Sequence, residues 1–110
     1  MIDLARLLVL ARKVALKSPC RFKIAAILFD GRGRVVATGY NHLGLGRGRM
    51  GHYTTHAEAD ALNKIRKPSR NLSMLLYRMG DRLVTPCSAC EKLIRAYGIR
   101  EVIYTTKWGT

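Results

Sequence analysis

The sequence predicts an α/β domain: a three-layer α/β/α sandwich around a mixed central sheet of four or five strands. Three observations carry this expectation. Helical and strand-like periods alternate along the chain in the order α-β-β-α-β-α-β, which lets helices cover both faces of one sheet. Pro19, Pro68 and Gly98 stand where the helical stretches stop, as the missing N–H of proline and the left-handed freedom of glycine require. At 110 residues and 48% hydrophobic content one core is feasible. No internal repeat and no long Pro, Ser or Gly run marks a linker, so residues 1–110 are expected to form a single domain.

The elements follow in order. Met1 to Lys17 is rich in Leu, Ala and Val, with basic residues at Arg6, Arg12, Lys13 and Lys17, and predicts an amphipathic helix. Phe22–Asp30 and Arg34–Tyr40 are apolar, β-rich runs separated by Asp30-Gly31-Arg32-Gly33, which reads as a hairpin turn. Leu43 to His52 alternates glycines with Arg47 and Arg49 and reads as a basic loop. His42 reads as an exposed loop residue. In the stretch Ala57 to Lys67 the residues Ala57, Ala61, Leu62 and Ile65 recur at helical spacing. Leu72–Met79 and Glu101–Thr105 predict two more strands. Between them Ser88–Tyr97 predicts a helix with Leu93, Ile94 and Tyr97 on one side, ended by Gly98.

Two clusters thirty residues apart carry chemistry: Thr55-His56-Ala57-Glu58-Ala59 and Pro86-Cys87-Ser88-Ala89-Cys90. Both fall at helix starts. Zinc takes four tetrahedral ligands, and a catalytic site uses three from the protein so that water holds the fourth place. His56, Cys87 and Cys90 supply three. The water so held ionises near neutral pH and is the nucleophile. Glu58, two residues past His56, reaches that water while staying off the metal, and so can move protons. Cys87 and Cys90 are three apart in a first helical turn, where the helix dipole favours thiolate. Other readings stay open at this point. A closed structural zinc could use His52, His56, Cys87 and Cys90; Cys-x-x-Cys could be a redox pair; Glu58 could be only a favourable acid in a first turn.

The combination of His-x-Glu with Pro-Cys-x-x-Cys resembles the zinc-dependent cytidine and deoxycytidylate deaminase superfamily. The resemblance covers roughly residues 20 to 105 and implies a cytidine-deaminase-like fold and hydrolytic conversion of cytosine to uracil. In it Glu58 passes a proton from water to ring N3, and the same carboxylate then protonates the departing amino group. It further implies that Asn41 hydrogen-bonds the substrate sugar, that the Ala57 backbone amide meets the base carbonyl, and that Tyr104 flanks the substrate. Asn41 reads equally as a turn residue, and Tyr104 as a buried strand tyrosine. The stretch from Cys87 to Val102 looks most like the deoxycytidylate branch, which favours a cytidine or deoxycytidine nucleotide. Cytosine or adenosine in single-stranded DNA or RNA is the alternative. The family's usual fifth strand and further helix have no counterpart before Thr110, which would leave an edge for a second copy to cover.

Twenty basic against seven acidic residues give a net charge of +13, which favours an anionic partner, nucleotide or nucleic acid. Arg47 and Arg49 are the expected phosphate contacts beside the site. The same charge also fits a non-catalytic nucleic-acid-binding module with structural zinc, or a merely solubilised surface. Asp3, Arg6, Arg12 and Lys13 interrupt the N-terminal apolar stretch, so it suits neither a membrane span nor a signal peptide. With two cysteines assigned to metal, Cys20 lacks a disulfide partner, and a reducing, cytoplasmic compartment is expected.

Overall fold

The computed structural model describes residues 3–20, 22–43, 54–65, 71–79 and 88–104. Helix α1 spans Leu4–Ala15, starting later than the expected Met1 because Asp3 caps it. The Asp3 carboxylate accepts the Arg6 backbone N–H at 3.1 Å, satisfying one of the donors a helix start leaves unpaired. Leu7, Ala11, Val14 and Ala15 form its buried stripe, at the i, i+4, i+7, i+8 spacing of an amphipathic helix.

Strands β1 (Ile24–Phe29) and β2 (Val35–Tyr40) form the expected hairpin. Its turn is fixed by Asp30, whose carboxylate accepts the N–H groups of Arg32 and Arg34, each at 2.9 Å. Gly33 sits at φ 82°, a left-handed conformation open to glycine at no steric cost. The short strands β3 (His42–Leu43) and β4 (Thr54–Thr55) pair antiparallel, where the sequence predicted only loop. Residues 44–53, including the predicted phosphate contacts Arg47 and Arg49, lie outside the described residues.

Helix α2 covers Ala57–Leu62. It is shorter than the expected run to Lys67, because the i→i−3 bonds Lys64 N–H to Ala61 O and Ile65 N–H to Leu62 O turn the chain. Strand β5 (Ser73–Arg78), helix α3 (Ser88–Ala96) and strand β6 (Val102–Tyr104) complete the order. Past α3, Gly98 at φ 70° donates to Arg95 O at 3.0 Å and Ile99 donates to Ile94 O at 3.3 Å. This paired pattern ends a helix through a left-handed glycine.

The main sheet has the order β2-β1-β5-β6, with β5 and β6 parallel and the other pairs antiparallel. It is therefore mixed and four-stranded, as expected. Alternate residues of β1 enter two core halves. Ala26 and Leu28 pack with Ala57, Ala61, Leu62 and Ile94, and Ala25, Ile27 and Phe29 pack with Leu7, Ala11 and Val14. Helices α2 and α3 thus cover one face and α1 the other, giving three layers. Among the described residues no helix is long and apolar enough to cross a membrane.

Candidate active site

The C-terminal ends of β2, β5 and β6 lie at one end of the sheet, since Tyr40 and Tyr77 both pair with Ala25 and Leu76 pairs with Tyr104. The start of α2 meets α3 on the face they share. Crevices outside strand C-termini are where open α/β sheets hold ligands. His56 is the N-cap of α2, in extended conformation at φ −75°, ψ 151°, and its side chain makes no capping bond. Its ring is turned toward α3 instead. His56 Nδ1 lies 3.3 Å from Cys90 Sγ, and ligand atoms of His56, Glu58 and Cys90 all lie within 4.8 Å of one another. His56 is exposed, while Glu58 and Cys90 are each 5% exposed.

This donor set fits zinc. Bonds of about 2.05 Å to nitrogen and 2.3 Å to sulfur at a tetrahedral angle put the two ligand atoms about 3.6 Å apart, close to the 3.3 Å between His56 and Cys90. Imidazole and thiolate are both ligand types that zinc prefers. Cys87, the third predicted ligand, lies outside the described residues, as does His52 of the closed-site alternative.

Burial pushes the Glu58 carboxyl above its ordinary range. Its own backbone N–H, the nearby His56 and a hydrogen bond with the Cys90 side chain act in the opposite direction. A carboxyl group held so keeps its proton to higher pH than an exposed one, which suits a group that must take up and release one.

Helix α2 is held against β2 very closely. A Cβ on Gly39 would stand 2.4 Å from Ala61 N and 2.5 Å from Ala57 O, so only glycine lets the backbones approach this far. Asp60 ties the same two elements. It accepts the Tyr40 N–H at 3.1 Å and lies 3.3 Å from His42 Nε2, with Lys64 Nζ at 3.8 Å. His42 is therefore not an exposed loop residue. It lies in β3, is half-buried, and its ring meets Tyr40 edge-on at 5.7 Å. The roles of Gly39 and Asp60 are absent from the sequence reading. Tertiary placement brings residues 39, 42 and 60 together, and no spacing announces it.

Asn41 is 7% exposed beside this end of the sheet. Its Oδ1 accepts the Ile24 N–H at 2.9 Å and its Nδ2 donates to Phe22 O at 2.6 Å, while its backbone oxygen accepts from Ser18 Oγ at 2.6 Å. It is thus a structural lock, and among the described residues one acceptor site and one N–H of its amide are left over. Ala57 is buried at the first position of α2. Tyr104 ends β6 and is 36% exposed, which removes the reading of it as a buried strand tyrosine. Its pairing with Leu76 turns it to the face that α2 and α3 share.

The chain belongs to the cytidine and deoxycytidylate deaminase family: the profile of that family's zinc-binding region matches residues 1–106. Solved structures of similar fold include the dCMP deaminase of cyanophage S-TIM5 without ligand, at 23% identity and TM-score 0.70 over 91% of this chain and 79% of that one. The same phage enzyme in complex with dCMP and dUMP aligns at 20% identity and TM-score 0.63 over 94% and 83% of the two chains. A cytidine deaminase from Burkholderia pseudomallei aligns at 21% identity and TM-score 0.68, over 88% and 78%. No curated protein sequence matches significantly. Family and fold together support deamination of a cytosine-type substrate.

Proposed function

We propose that this protein hydrolyses cytosine to uracil on a cytidine or deoxycytidine nucleotide. His56, Cys87 and Cys90 would hold a zinc ion, and Glu58 would shuttle protons. The observation that carries the reading is the convergence of His56 Nδ1 and Cys90 Sγ at 3.3 Å with the buried Glu58 carboxylate beside them. When bound, zinc supplies an activated water close to this carboxylate. Glu58 takes one proton from water and delivers it to ring N3 as oxygen bonds to C4. It then takes the proton of the new C4 hydroxyl and hands it to the amino group as the C4–N bond breaks and the C4 carbonyl forms, so that ammonia leaves and uracil remains.

The Ala57 backbone N–H, in the first turn of α2 where helical N–H groups lack a helical partner, would donate to the base carbonyl. The remaining donor and acceptor of Asn41 serve the sugar, and Tyr104 flanks the ring from the same face. Arg47 and Arg49 are assigned to phosphate. The phage enzyme's complex with dCMP and dUMP supports a monophosphate substrate. The net charge of +13 supports a second reading, in which cytosine or adenosine is deaminated within single-stranded DNA or RNA. Residues 1–110 act as one domain in this account, in a reducing cytoplasm, with self-association through a sheet edge.

The test is to incubate the zinc-loaded protein with cytidine, deoxycytidine, their monophosphates and cytosine-containing single strands, and to follow uracil by mass. Uracil from a monophosphate supports the first reading, and uracil only within a strand supports the second. Stoichiometric zinc with no deaminated product from any substrate would favour a binding module with structural zinc.

A further inference from the structure

A cleft of about 640 Å³ lies between α1 and the β1–β2 turn, lined in part by Arg6, Leu10 and Lys13 of α1 and by Arg32, Arg34 and Val35 of the hairpin. It is remote from the candidate active site. The six residues of β2 separate its turn from Asn41 by about 20 Å at 3.3 Å per residue, and α1 packs on the sheet face opposite α2 and α3.

The cleft is strongly basic. Arg6, Lys13 and Arg32 have no ion-pair partner among the described residues, and Arg34 is 3.3 Å from Asp30. The acid that also lines it, Asp3, already accepts the Arg6 backbone N–H as the cap of α1. Arg6 and Lys13 stand seven residues apart on one face of α1, about 10 Å at 1.5 Å per residue, with Leu10 between them. A break in the β1–β2 register shapes the opposite wall. Leu28 pairs with Ala37, but Phe29 pairs with Val35, so Val36 is an extra residue. Phe29 belongs to the core half under α1, and the bulge gives Val35 the place on that side which Val36 would hold in unbroken register. Bulges commonly re-aim side chains in this way. Among the described residues no aromatic side chain lines the cleft, so these walls offer no platform on which a base would stack.

We propose that this cleft is a second anion site, separate from deamination, that takes successive phosphates of a nucleoside triphosphate or of a single polynucleotide strand. Two cations about 10 Å apart along the helix, faced by the guanidinium groups of the hairpin, match a chain of phosphates better than a single one. The apolar walls take the sugar. Recognition is through charge and spacing and is indifferent to the base.

Two probes whose base carries no amino group to remove keep the test off either proposed substrate: thymidine triphosphate and a short oligothymidylate. Binding to the full chain is measured at several salt concentrations. The double variant Arg6→Gln/Lys13→Gln is compared with Arg12→Gln/Lys17→Gln, which removes the same charge from exposed positions of the same helical segment outside the cleft. The cleft variant is expected to bind at least ten-fold more weakly, with the oligothymidylate salt slope reduced by about 1.4, or about 0.7 for each lost contact. The control variant should stay within about two-fold of wild type. Amide NMR shifts of Arg32, Gly33 and Arg34 in the unaltered protein give a readout that needs no variant. Shifts with the triphosphate assign the site to free nucleotides, shifts with the oligothymidylate assign it to a strand, and either supports the cleft. Equal losses in the two variants, or no hairpin shifts with either probe, would overturn the proposal.

Discussion

Replacing Gly39 with alanine puts a methyl group where α2 already stands. The new Cβ would meet Ala61 N at 2.4 Å, Ala57 O at 2.5 Å and Ala61 Cα at 2.9 Å, all backbone atoms that cannot rotate away. Ordinary contact begins near 3.4 Å, so relief of the shortest contact requires α2 to retreat from β2 by roughly 1 Å. Overpacking of this kind costs about 1–3 kcal/mol. In a domain of this size that lowers Tm by roughly 4–8 °C for each kcal/mol. The larger effect falls on the site, because α2 carries Glu58 and begins at His56, whereas Cys90 rides on α3. A displacement of about 1 Å between reacting groups costs on the order of 100-fold in rate. Gly39→Ala should therefore fold with a depressed Tm and form uracil about 100-fold more slowly. Gly31→Ala, where an added Cβ has nothing within 4 Å, should match wild type in both. Thermal melts and steady-state uracil formation on the two variants supply the comparison. A Gly39→Ala protein with wild-type Tm and wild-type rate would refute the close-packing argument.

Three further outcomes follow from the same structure. The Arg34 backbone N–H, helped by that of Arg32 and by the Arg34 charge, outweighs desolvation and holds the Asp30 carboxyl below its ordinary range; its stabilising effect is full above the unfolded value of about 3.9 and is lost as pH falls through the folded one, so the Tm gap between wild type and Asp30→Asn should be open at pH 7 and close in strong acid. Burial raises the Glu58 pKa, so its ionisation opposes folding of the metal-free protein as pH rises past the ordinary glutamate value; metal-free Glu58→Gln should melt higher than wild type at pH 7, with the gap closing below about pH 4 in pH-resolved melts. Asp60→Ala removes the acceptor of the Tyr40 N–H and the partner of His42, and should cost about 1–3 kcal/mol in denaturant unfolding.

Much of this architecture is legible in the sequence because it rests on local signals. The four main strands are apolar runs bounded by turn residues, and Asp30 and Gly33 announce their hairpin through capping and left-handed chemistry. Gly98 likewise marks the end of α3. The convergence of His56, Glu58 and Cys90 is legible for a stricter reason: metal ligation and proton transfer, the roles proposed for them, need particular atoms at fixed spacings from a helix start, and few other demands produce that pattern. The missed features depend on tertiary placement. The β3–β4 ladder is two residues long on each side, too short to show a period of two. The bulge at Val36 leaves no mark, because neighbouring valines satisfy either register. Gly39 reads as an ordinary strand glycine until α2 is seen against it, and Asp60 as a generic first-turn acid until Tyr40 and His42 reach it. Asn41 shows both sides, since its turn chemistry is visible in the sequence while its bonds to Phe22 and Ile24 require the folded strand.

In the proposed function the Glu58 carboxyl group would stand beside a zinc ion without binding it, and one paired measurement tests this directly. Zinc content and ammonia release from a cytosine nucleotide are determined together on wild type, Glu58→Gln and Cys87→Ser. The account predicts about one zinc per chain in wild type and in Glu58→Gln, with release lost by about 100-fold or more only in the latter, and loss of both zinc and release in Cys87→Ser. A Glu58→Gln protein that loses its zinc would make Glu58 a ligand, and one that keeps wild-type release would remove it from proton transfer; either result contradicts the assignment.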